Sequence, residues 1–194
     1  SPEPDNLGYH YPVSNSFTGF TTLSKYKNFK MTCEIYSEDL NPNQIGIILG
    51  RFTDYENKEY TITAVRSNIV NETWKVYYNY NLRSQAGIQD KSTLVPINGR
   101  AGISDGWDEF PNRINIIYEK VGSIMKIATS TADDINIKLS STLTVNLQED
   151  YPGIESEALG KIENESPIGF GCKGQGNVRI KNVFIETINA FTLP

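Results

Sequence analysis

Ser166-Pro-Ile-Gly-Phe-Gly-Cys-Lys-Gly-Gln-Gly-Asn-Val-Arg-Ile-Lys-Asn-Val-Phe-Ile-Glu186 is the stretch whose reading decides the fold. It opens on a short apolar strand with glycines at alternate positions, Ile168-Gly169-Phe170-Gly171. A turn spaced by Gly174 and Gly176 follows, and then a second strand with apolar residues at Val178, Ile180, Val183 and Ile185. Steps of two describe a half-buried strand, and the single step of three implies one skipped residue, a β-bulge at Asn182.

Outward from this stretch, the same chemistry recurs. Asn, Thr, Ser, Ile and Tyr are abundant, and β-branched and aromatic side chains suit a pleated, half-buried surface. Phe29, Met31, Cys33 and Ile35 alternate with Lys30, Thr32 and Glu34, which predicts a strand with one buried face. Ile45, Ile47, Ile48 and Leu49 are apolar on both faces, so that strand is expected at the centre of a sheet. Arg113–Lys120 and Ile124–Thr129 predict a hairpin joined tightly through Val121-Gly122-Ser123, with Ile114, Ile116 and Tyr118 inward and Arg113, Asn115 and Glu119 outward. Leu143-Thr-Val-Asn-Leu147 alternates again, and the segment from Asp150 to Asn164 has room for one helical turn at 155–159. Roughly eleven to thirteen strands are expected, with no fixed repeat. Residues 1–16 read as an irregular leader, in which Ser1-Pro-Glu-Pro-Asp5 resembles the start of an excised fragment, and residues 17–194 as one domain. Strands 29–35 and 178–186 are expected side by side, because pairing the two ends of the chain removes long open edges.

The closing strands, Ile168-Gly-Phe-Gly171 followed by Asn177-Val-Arg-Ile180, resemble those of concanavalin A-like jelly rolls (lectin, glucanase and laminin-G-like domains). The hairpin 113–127 is similar to that family's central hairpin, and roughly residues 17–188 fit its layout. The resemblance implies an all-β fold, a jelly-roll β-sandwich of two antiparallel sheets. It does not imply an activity.

Catalytic members that cleave β-glucans carry alternating carboxylates on one strand face. The nearest candidates here are Glu34 with Glu38-Asp39, interrupted by Tyr36 and running into a turn, and the loop pair Asp108-Glu109. His10 is the single histidine, which removes the base for a Ser-His-Asp or Cys-His device and leaves too few ligands for zinc. Cys33 and Cys172 both fall within strands as small apolar residues, with a bridge between them as the alternative. No cofactor is expected. Asp54/Glu56, Asp105/Asp108/Glu109 and Asp133/Asp134 supply oxygen ligands that make calcium possible, although adjacent acids form turns more often than they bind. Asn71-Glu-Thr73 is a glycosylation sequon, and Asn164-Glu-Ser166 is a second one weakened by Pro167.

A net charge of −5 argues against a phosphate-tracking nucleic-acid partner. No apolar run is long enough to insert in a bilayer. What remains is a polar, aromatic surface suited to a glycan or polysaccharide, on which rings stack against sugar C–H faces and planar polar groups fix hydroxyls. The candidate carbohydrate-binding residues are Tyr77 and Asn79 on the strand 74–80, Trp107 and Asp108 in the long loop 98–112, and Arg113 and Asn115 just after it. They are expected on the outward face of one sheet and the loop at its rim. The leading reading is thus a non-catalytic, lectin-like module of a larger secreted, cell-surface or phage-tail protein, at work outside the cell or on a virion surface. The alternative is a structural or adhesin domain docking onto other chains of an assembly, and a glycoside hydrolase comes third.

Overall fold

In the computed structural model of this chain, the residues described are 3–5, 8–11, 18–37, 44–53, 59–67, 75–78, 95–96, 113–130, 134, 139, 142–150, 156–173 and 178–194. They form two antiparallel sheets packed face to face. The seven-stranded sheet runs in the order β1 (Glu3–Asp5), β2 (Gly8–Tyr11), β13 (Val178–Thr187), β4 (Phe29–Ser37), β9 (Arg113–Val121), β10 (Ile124–Ser130), β11 (Leu143–Asn146). The six-stranded sheet runs β3 (Thr18–Thr21), β12 (Gly169–Lys173), β5 (Gln44–Thr53), β6 (Glu59–Ser67), β7 (Lys75–Tyr78), β8 (Val95–Pro96). The two ends of the chain pair in both sheets: β3 with β12, and β4 with β13.

The alternations read from the sequence become the core. Phe29, Met31, Cys33 and Ile35 of β4 and Ile114, Ile116 and Tyr118 of β9 meet Ile47, Leu49, Ile62, Ala64 and Phe170 of the other sheet. Each isoleucine, leucine, methionine and phenylalanine side chain among them contributes about 1.5–3 kcal/mol when fully buried. Phe29 and Tyr118 pack edge to face at 5.2 Å. In β5 the register slips between Ile48 and Gly50, skipping Leu49. The Tyr118 hydroxyl donates to the Leu49 carbonyl at 2.9 Å, a polar tie between the two sheets in the apolar interior.

Ile47 faces the core and Ile48 the opposite side, yet both are fully buried, so β5 is covered on both faces as its composition predicts. The β9–β10 hairpin closes through Gly122-Ser123, with Val121 opposite Ile124 and Gly122 at φ 59°. A left-handed first turn position suits the right-handed twist of the flanking strands. The bulge in β13 lies where the spacing puts it, between Lys181 and Phe184, with Asn182 at φ 52°. Asparagine is among the few residues that tolerate that region.

Several expectations change. The leader 1–16 is not irregular throughout: β1 pairs with β2, and β2 adds to β13 over Val178–Ile180. Edge strands tolerate prolines that a central strand would reject. Val183 is 41% exposed rather than core-facing, because it lies within the bulge between Lys181 and Phe184. Cys33 keeps its expected form as a small buried residue, a free thiol pushed well above the ordinary thiol range by burial and then by Glu34. The alternation Ile135-Asn-Ile-Lys-Leu139 also predicts a strand, and it lies mostly outside the described residues.

The single helical turn becomes two helices, α1 (Leu147–Asp150) and α2 (Ser156–Asn164). Ile162 of α2 sits in the core and Leu159 packs against it. The Lys120 ammonium, reaching from the inner face of β9, donates to the Glu163 carbonyl at the end of α2 and to the Lys27 carbonyl. At Glu163 it thereby satisfies a helix-end acceptor that has no partner within the helix. Burial pulls this lysine from its ordinary value down to about 8. The folded chain therefore releases the proton at lower pH than the unfolded chain, and stability from this group rises with pH between about 8 and 10.5. The stability difference between the parent and Lys120→Met, measured by urea unfolding, is expected to grow from pH 7 to about pH 9.5. A flat or shrinking difference would show that the amine is not held in a charge-disfavouring site.

Candidate functional site

The structure separates the residues that sequence reasoning grouped into one site. Tyr77 lies on β7, opposite Thr63 of β6 and Pro96 of β8, in the six-stranded sheet. Its neighbour Val76 pairs with the core residue Ala64, so Tyr77 holds a position on the outer face. Arg113 and Asn115 lie on β9 in the seven-stranded sheet, opposite Tyr36 and Glu34. Outer positions on the two sheets point to opposite sides of a sandwich, so a single site cannot use both. Asn115 is moreover not displayed: it is on the outer side of β9 but only 3% exposed. Asn79, Trp107 and Asp108 lie outside the described residues.

The outer face of the six-stranded sheet has a backbone floor. Gly19, Gly171 and Gly46 stand side by side on β3, β12 and β5, with Gly169 next to Ile48 in the neighbouring row. Ile48 and Thr63, beside that floor, are both fully buried. The Thr63 hydroxyl has no hydrogen-bond partner among the described residues. The middle of this face is thus a covered floor rather than an open platform.

The outer face of the seven-stranded sheet has two zones. Over β9 and β10 it is covered by the C-terminal segment that follows β13. Leu193 packs on Ile117 and Ala128, and the buried Glu119 carboxylate accepts from the Thr192 amide, the Thr192 hydroxyl and the Leu193 amide. Lys126 donates to the Leu193 carbonyl and lies 4.7 Å from the Phe191 ring centroid. Over β4 and β13 the face stays partly open. Thr32, Glu34 and Tyr36 of β4 alternate with core residues, and Arg179, Lys181 and Phe184 stand opposite Tyr36, Glu34 and Thr32. Phe184 is 75% exposed. The Asn182 carboxamide, set at the bulge, donates to Glu34 at 2.8 Å.

Tyr36, Arg179, Asn182 and Phe184 were not among the sequence candidates. The outward positions of β4 and the bulge at Asn182 were visible in the spacing, but which strand stands beside which was needed to bring them together. Glu34, the first acid of the candidate pair, is hydrogen-bonded to Asn182, and Glu38 lies outside the described residues. Among the described residues no three His, Cys, Asp or Glu side chains cluster as metal ligands, and of the candidate calcium acids only Asp134 is described. No described helix is long and apolar enough to cross a membrane.

No protein-family profile matches the chain. No curated protein matches it in sequence. Solved structures do match in fold. The carbohydrate binding module CBM66 from Bacillus subtilis superposes with a TM-score of 0.60 at 13% identity, covering 96% of this chain and 91% of that one. A putative glycosyl hydrolase from Parabacteroides distasonis gives 0.49 at 13% identity, with 96% and 90% covered. The CBM2 module of the evolved Dit of Lactobacillus casei BL23 phage J-1 gives 0.46 at 11% identity, with 98% and 80% covered.

Proposed function

We propose that this chain is a non-catalytic carbohydrate-binding module of the concanavalin A-like kind, part of a larger secreted, cell-surface or phage-tail protein. The observation that carries the reading is the fold: nearly the whole chain follows the sandwich of a protein that is itself a carbohydrate binding module. That likeness speaks for architecture, and the case for sugar comes from this chain's own residues. By residue type, Tyr77, Asn79, Trp107 and Asp108 offer aromatic rings and planar polar groups, the combination that orients polar ligands. The proposed contact at Tyr77 lies at the β7 margin of the six-stranded sheet's outer face, beyond the covered middle. Arg113 and Asn115 leave this site because they stand in the other sheet.

Trp107→Ala is expected to remove most binding on a glycan array while shifting the melting temperature by no more than about 2 °C, the range of a surface substitution. A large loss of stability would make Trp107 a packing residue and remove it from the site. An array on which the parent chain finds no ligand would overturn the reading altogether.

A further inference from the structure

The partly open zone of the seven-stranded sheet has features that packing alone does not require. Its first feature is an exposed ring. Phe184 stands on the outer face opposite Thr32, 75% exposed, next to the 41% exposed Val183. A large apolar side chain held out from a strand, rather than folded into the core, marks a contact surface. The second is the bulge that puts it there. Asn182 sits in the left-handed region at φ 52°, and a non-glycine residue in that conformation costs about 1–2 kcal/mol. Bulges of this kind re-aim side chains beside functional sites. Here the bulge also aims the Asn182 carboxamide at Glu34, so two planar polar groups are fixed side by side.

The third feature is charge. Arg179 on β13, Tyr36 on β4 and Arg113 on β9 form one cross-strand row, two arginine positions flanking a tyrosine across about 10 Å of sheet. His10 on β2 continues that row at the register position beside Arg179, and Lys181 stands in the next row. In a chain of net charge −5 this row carries two arginines, while Lys181 in the next row stands opposite Glu34. Along β4, Thr32 to Tyr36 separates the two aromatic positions by roughly 13 Å. One wall of the shelf is the C-terminal segment that covers Ile117 and Glu119.

We propose that this shelf along β4 and β13 binds an acidic polysaccharide, with Phe184 and Tyr36 supporting sugar rings and Arg179 taking a uronate carboxylate. Guanidinium and carboxylate match as planar, bidentate partners. Asn182 and Glu34 are placed to hydrogen-bond hydroxyls between the rings. The shelf is separate from the β7 site, and it rests on the glycan reading only in the class of ligand.

The test is titration of the chain with polygalacturonate, and with neutral glycans from the array, at about 0.1 M and about 1 M salt. The parent is expected to bind polygalacturonate at low salt and to lose most of that affinity at high salt, where the screening length falls from about 10 Å to about 3 Å. Phe184→Ala should weaken binding roughly tenfold with the fold intact, since the ring is already in solvent. Arg179→Lys should weaken it too, because an ammonium keeps the charge and loses the fork. Leu23→Ala, fully exposed between β3 and β4, should leave it unchanged. Unaltered binding in both Phe184→Ala and Arg179→Lys overturns the shelf. So does a parent chain that binds neutral glycans through Trp107 but not polygalacturonate, a result that leaves the β7 reading standing. If neither class binds, both fall. If sedimentation shows a parent dimer that Phe184→Ala dissociates, the shelf is a contact between copies and the proposal fails.

Discussion

Gly169→Ala is expected to lower the melting temperature by roughly 6–12 °C, the equivalent of about 3 kcal/mol in a chain of this size. A Cβ at this position would lie 1.9 Å from the Phe20 carbonyl oxygen and 2.9 Å from both the Phe20 carbonyl carbon and the Thr21 Cα. All three are backbone atoms, so no rotamer change relieves the clash, and β3 must move away from β12. That movement strains the pairs Gly169–Thr21 and Phe170–Phe20, and the adjoining hydrogen bond from the Thr22 amide to the Ile168 carbonyl at 2.7 Å. It also separates the Phe20 and Phe170 rings, now 5.9 Å apart. Gly160→Ala is the matched control. A Cβ there meets nothing within 4 Å, and the position is inside α2, so alanine should raise stability by up to about 1 kcal/mol. Circular-dichroism melts of the two variants should move in opposite directions, and a Gly169→Ala melt within about 2 °C of the parent would sink the argument.

Glu119→Ala is expected to cost about 3–5 kcal/mol and to free the C-terminal segment from the sheet. The carboxylate is fully buried and serves three donors of residues 192 and 193, with Lys30 at 3.9 Å. Alanine leaves two backbone N–H groups without an acceptor, each costing about 1–3 kcal/mol while it stays buried. Release of the segment caps that cost, since the amides then return to water. Release in turn uncovers Ile117 and Ala128, which Leu193 now shields. Hydrogen exchange separates this outcome from general loosening. The Thr192 and Leu193 amides should exchange at unprotected rates, while those of β4 and β9 keep their protection at the same temperature. Protected amides at 192 and 193 in the variant would mean that the segment is held by something other than Glu119.

Where local spacing carries the information, the amino-acid order was enough. The two-three-two step from Val178 to Ile185 predicts the bulge, and Asn182 with φ 52° is that bulge. Apolar residues on both faces of 45–49 predict a strand covered on both sides, and Ile47 and Ile48 are each fully buried. Gly122 predicts the tight hairpin because a positive φ there is cheap only for glycine. Helix α2 was less legible. Gly160 suggests a stop after one turn, but Ile162 entering the core and Lys120 taking the Glu163 carbonyl outweigh about 1 kcal/mol of propensity.

The site was legible only by face. Alternation along a strand tells which residues share a side, because successive side chains point to opposite faces of a sheet. It is silent on which sheet the strand joins, since both sheets of a sandwich bury one side and expose the other. Tyr77 and Asn115 therefore look alike in sequence, and only the pairing of β7 with β6 and of β9 with β4 sends them to opposite surfaces. Outward does not mean open, either: Glu119 is on the outer face and fully buried because residues more than seventy positions later fold back over it. Strand identity, composition and the bulge follow from neighbours along the chain. The company kept by Tyr36, Arg179 and Phe184 comes from long-range strand pairing, which no local pattern encodes.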